Sequence, residues 1–152
     1  MFSSCSENLS QKNNNANDGV TDVASVNKSE ADVVSESIKL DSLNADLYVQ
    51  RARINLTDEK ISLAIRDINS ALSLDRKNID ALLVLADIYY ALGDEDNILL
   101  TLNKACEYAP LDTRPIIKLS ELSFLQGNFR MAGAYVDKAL EMDKYNPKAY
   151  YM

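Results

Sequence analysis

The sequence predicts an all-α solenoid of antiparallel helix pairs carrying a disordered N-terminal tail, and three observations predict it. First, two windows, residues 79–112 and 113–146, place small and large side chains at matching offsets, and a third copy precedes them at the same step of 34 residues. Ala139 falls on Ala105 and then Ala71, Gly127 on Gly93, and Leu122 on Ile88 and then Ile54. A repeat of this length is one supersecondary unit that buries its apolar side only by stacking on a neighbour. Second, the 152 residues are 47% apolar and 26% charged, a globular composition. Third, residues 6–29 are dominated by Ser, Asn, Asp and Lys, with too few large apolar side chains to offset the entropy of ordering.

Composition also excludes several functions. A net charge of −7, from 16 basic and 23 acidic side chains, repels phosphate backbones, so no nucleic-acid partner is expected. The chain has no histidine, which removes the commonest general base and metal ligand and the usual partner of a Ser or Cys nucleophile. Two cysteines, Cys5 and Cys106, are too few for a structural zinc site. No catalytic residue, metal site or cofactor is therefore expected. The longest uncharged apolar run, around residues 81–85, is far short of the roughly 20 residues that span a bilayer.

Residues 1–29 read as a tether, whose root-mean-square reach as a coil is roughly 25–30 Å. At its start, Phe2-Ser3-Ser4-Cys5 resembles the lipobox of bacterial lipoproteins, in which the cysteine is lipidated. That resemblance implies a lipid anchor at Cys5, the only route to a membrane, and a place in the bacterial cell envelope, at the outer membrane or in the periplasm. The basic and apolar segments of a secretion signal do not precede Cys5. Without a lipobox the expected location is cytoplasmic.

Residues 30–44 read as a capping half-repeat helix, because Ser37–Asp41 aligns with Ala71–Asp75 and terminal units are more polar than internal ones. Residues 45–78 follow as the first full repeat, with Thr57-Asp58-Glu59 as turn and helix cap. In the second, residues 79–112, Gly93 suits a left-handed helix stop and Asp94 caps the next helix. Gln126-Gly127-Asn128 repeats that turn in the third, residues 113–146. Asn146-Pro147 then opens another helix, proline being favoured in a first turn. Residues 147–152 match the start of a fourth repeat, read as truncated at Met152; taken as a true end, they offer a homo-oligomer contact.

Ala86, Tyr89, Gly93, Leu102, Ala105 and Pro110 in one window, with Leu119, Ser120, Gly127, Phe129, Ala132 and Ala139 in the next, resemble the tetratricopeptide repeat over residues 45–146. The first repeat departs from that pattern, carrying Arg51, Asn55 and Glu59 where an apolar residue, an aromatic and a glycine are usual. The resemblance implies a right-handed superhelix whose concave face is lined by the first helix of each repeat. Carried over residue by residue, it places Val49, Leu83 and Ile117 in one apolar row of a peptide-binding groove and Leu56, Tyr90 and Phe124 in a second. Arg53, Asp87 and Glu121 run between them, with Asp46, Asp80 and Arg114 at the edge. It implies a scaffold or adaptor whose partner is another protein or peptide, such as an amphipathic helix with apolar anchors, the acidic groove residues favouring basic flanks. A clamp for a terminal carboxylate is not expected, because Arg53 is matched by Asp87 and Glu121. The alternative is the sensing or docking module of a longer enzyme, a kinase or peptidase, whose catalytic part lies beyond Met152.

Overall fold

The computed structural model describes residues 28–151, and among these every regular element is helical: α1 (Glu30–Leu40), α2 (Ala45–Thr57), α3 (Ile61–Leu74), α4 (Ile79–Leu92), α5 (Glu95–Tyr108), α6 (Thr113–Leu125), α7 (Phe129–Met142) and α8 (Pro147–Tyr150). Cys5 and most of the proposed tether lie outside the described residues. Helices α2 and α3, α4 and α5, and α6 and α7 form tight pairs, and each pair packs on the next. The leading helices begin at Ala45, Ile79 and Thr113, the 34-residue step seen in the sequence, and α8 begins in the same register.

Local chemistry sets these boundaries. Asn44, Asn78, Asp112 and Asn146, again 34 apart, cap α2, α4, α6 and α8 by accepting a backbone N–H. Two of these caps also tie repeats together: Asn78 Nδ2 donates to Asp46 (3.0 Å) and Asn146 Nδ2 to Thr113 Oγ1 (2.7 Å). Gly93 (φ 70°) and Gly127 (φ 74°) take the left-handed conformation between paired helices, and Asp94 and Asn128 cap the helices that follow. The first pair differs from the expectation. Its turn ends on Lys60, which occupies the cap position of α3 but donates its ammonium to Asp58 and makes no capping bond, while Asp58 closes α2.

Glu59 stands where the other turns have glycine and is forced to φ 59°. A Cβ in this conformation crowds the following carbonyl and costs about 1–2 kcal/mol, partly offset by the entropy a glycine would lose. Glu59→Gly is therefore expected to stabilise the protein by about 0.5–1 kcal/mol, seen as a higher urea midpoint with unchanged m-value.

The small residues act as expected. Ala52, Ala64, Ala71, Ala86, Ala105, Ser120, Ala132 and Ala139 are all buried, which lets paired helices approach closely. Ser120, in an alanine position, donates its hydroxyl to the Ala132 carbonyl at 2.8 Å. Larger side chains close the seams between repeats: Ile88 joins Val84, Ile68 and Val49 in one cluster, and Leu83 joins Leu102 and Leu119 in the next. Cys106 is half-buried between the second and third clusters, and desolvation pushes its thiol above the ordinary range.

Candidate functional site

Helices α4 and α6 lie side by side with the start of α5 beneath them, and the space between is a cleft of about 550 Å³. Its floor is apolar, made by Ala86, Ile98, Leu102 and Leu122. At its mouth stand Tyr90 and Phe124, 59% and 53% exposed, with Leu125 and Tyr151 beside them. Phe124 is held edge-on against Phe129, ring centroids 5.3 Å apart, so it is supported by the next helix as well as its own. Tyr90 and Phe124 occupy equivalent places, 34 residues apart, near the ends of successive leading helices.

The cleft continues into a second concavity of about 370 Å³, which shares Asp87, Lys118 and Glu121 with the first. Ion pairs crossing between repeats line it. Asp80 Oδ1 accepts from Arg53 Nη2 and from Arg114 Nη1, both at 2.9 Å, so one carboxylate bridges the leading helices of all three pairs. Arg114 is also held by Asp112 (2.6 Å), whose hydrogen bonds raise the guanidinium pKa, while Asp112 is drawn below the usual carboxylate range. Asp87 is paired with Lys118. Among the described residues Glu121 makes no ion pair; Lys148, which lines the same concavity, makes none either.

The groove residues read from the sequence thus divide. Arg53, Asp87, Glu121, Tyr90 and Phe124 lie along connected concavities, while Leu56 is half-buried against the first core cluster. Val49, Leu83 and Ile117 require a correction. They are only 4%, 5% and 3% exposed, each packed into a core cluster, because the leading helix of the next repeat covers them. Leu83 and Ile117 touch the floor of the smaller concavity and do not form an open row. The acidic character is also weaker than expected, since Asp80 and Asp87 are both neutralised across the helix interface. Lys118, which neutralises Asp87, was missed. Its signal was its place four residues after Arg114 and three before Glu121, which puts all three on one face of the helix.

Antiparallel helix pairs stacked at a fixed step around a concave cleft define a helical-repeat solenoid. The sequence model described as "Tetratricopeptide repeat" matches residues 79–110, the second helix pair, and the fold is that of tetratricopeptide-repeat solenoids. Human tetratricopeptide repeat protein 16 is 32% identical over 93 residues, covering 53% of this chain and 11% of its own length. The chain thus spans about a tenth of that relative. Among solved structures, MamA superposes with a TM-score of 0.63 at 22% identity, over 75% of this chain and 67% of MamA. YrrB, described as a TPR protein with an unusual peptide-binding site, superposes with a TM-score of 0.64 at 16% identity, over 80% of this chain and 62% of YrrB.

Proposed function

We infer that this protein is an interaction scaffold whose groove takes a peptide or an amphipathic helix of another protein. The observation that carries this reading is the pair Tyr90 and Phe124, two large aromatics left exposed at the mouth of an apolar cleft that no other part of the described chain fills. Exposed apolar surface gathered around a concavity marks a recognition site. The peptide-binding site named for YrrB supports the same use of the fold. Apolar anchors of the partner enter between Tyr90 and Phe124, and Glu121 receives a single cationic neighbour on it, a narrower requirement than a run of basic residues. Shape and charge complementarity are the mechanism, with no chemistry performed on the partner.

Peptides selected from a displayed library on the immobilised protein provide the test. A Tyr90→Ala, Phe124→Ala double variant is expected to keep its helical circular dichroism and to bind the selected peptides at least about ten-fold more weakly, the scale of losing an aromatic anchor. Equal affinity for both proteins would sink the assignment of the groove.

A further inference from the structure

A second cleft, of about 570 Å³, lies between the end of α3, the outer side of α4 and α5. It is separate from the groove. On α4 it uses Leu82, Leu85 and Tyr89, whereas the groove concavities use Asp80, Leu83, Asp87 and Tyr90, and at 100° per residue these sets lie on opposite sides of the helix.

Its charge is the reverse of the chain's. The charged side chains lining it are Arg76, Lys77 and Lys104, with no Asp or Glu among them, in a protein of net charge −7. Among the described residues none of the three forms an ion pair. The neighbouring carboxylate, Asp75, is turned to its own loop, accepting the backbone N–H of Lys77 at 2.9 Å. Lys77 is not a freely waving side chain: its ammonium sits 5.6 Å from the centre of the Tyr108 ring, held against the wall of the cleft. Between the cations the lining is mixed, with leucines and the ring of Tyr89 beside the polar side chains of Asn97 and Thr101.

We propose that this outer cleft is a second docking site, which binds an acidic segment of a protein partner carrying an aliphatic residue between its carboxylates. The leucines take the aliphatic side chain, and Arg76, Lys77 and Lys104 meet the carboxylates around it. Three unpaired cations gathered in one cleft of a protein with net charge −7 attract a carboxylate-rich chain and repel basic ones, which is how electrostatic complementarity selects partners. A scaffold with two such faces on one helix joins two partners, one held through aromatics in the groove and one through cations outside it.

The test uses the full chain and a short fluorescein-labelled peptide that alternates Glu with Leu, followed by fluorescence anisotropy. The peptide is expected to bind, to lose at least about ten-fold in affinity to a Lys77→Glu, Lys104→Glu variant, and to weaken as salt is raised. Substituting Gln for Glu in the peptide is expected to abolish binding, and the Tyr90→Ala, Phe124→Ala variant is expected to bind it normally. No binding by the unmodified protein, or equal binding by the charge-reversed one, overturns the proposal. So does equal displacement of the peptide by inorganic phosphate, or preferential binding of phosphatidylserine vesicles, which assigns the cations to another anion. Loss of acidic-peptide binding in the groove variant alone places that peptide in the groove instead and equally overturns a separate outer site.

Discussion

Asp67→Ala is expected to remove about 3–5 kcal/mol of stability, the cost of leaving a largely buried partner charge uncompensated. Asp67, 1% exposed, receives a two-point grip from Arg51, with Nη2 at 2.6 Å from Oδ1 and Nε at 2.9 Å from Oδ2, and a further bond from Asn55 Nδ2 at 2.9 Å. Arg51 reaches on to Ser35 of α1 at 3.0 Å, so the same network fastens the first helix to the first pair. With the carboxylate gone, a guanidinium that is only 19% exposed and the buried Asn55 amide lose their shared acceptor. Urea denaturation followed by circular dichroism measures the loss. Replacing all three residues together by apolar side chains, Arg51→Leu, Asn55→Phe and Asp67→Leu, is expected to recover most of it, since a fully apolar seam is often as stable as a satisfied ion pair. A near-neutral Asp67→Ala would show that water reaches the network.

Ile88→Ala should cost about 2–5 kcal/mol, the usual range for truncating a fully buried aliphatic side chain. Ile88 is 0% exposed and lies where α4 meets the first pair, in a cluster with Val49, Ile68 and Val84. The cavity therefore opens at the joint between repeats. Neighbour interfaces supply much of the stability of repeat arrays, so weakening one loosens their coupling as well as lowering the total. The measurement is the denaturation profile: a lower midpoint together with a broader transition in the variant. A sharp transition at the original midpoint contradicts the packing described.

Most of the architecture was legible in the sequence because it depends on local, periodic features. Gly93 and Gly127 mark turns, Asp94 and Asn128 mark helix starts, and buried alanines recur every 34 residues. Two things were not legible. Arg51 and Asn55 stood out as departures from the repeat pattern, but Asp67 did not, because an acid on α3 reads as solvent-facing until the facing helix brings a guanidinium to it. Helical periodicity likewise gives the direction of Val49, Leu83 and Ile117 without saying how far the adjacent helix extends over them. The outer cleft was hidden for a related reason, since Arg76 and Lys77 belong to one repeat and Lys104 to another. Exposed aromatics were easier: Tyr90 and Phe124 lie near the ends of their helices, beyond the covering reach of the next repeat.

The main contacts join each helix to elements next to it or next but one along the chain, so little ties distant parts of the molecule together. Pulling on its two ends therefore loads the repeat interfaces in series. Under tension such a body stretches by opening joints before any helix unravels, and it recoils when released. Both clefts lie at these joints, the groove between α4 and α6 and the outer cleft between α3 and α5. A bound partner in either would act as a stiffener of this molecular spring.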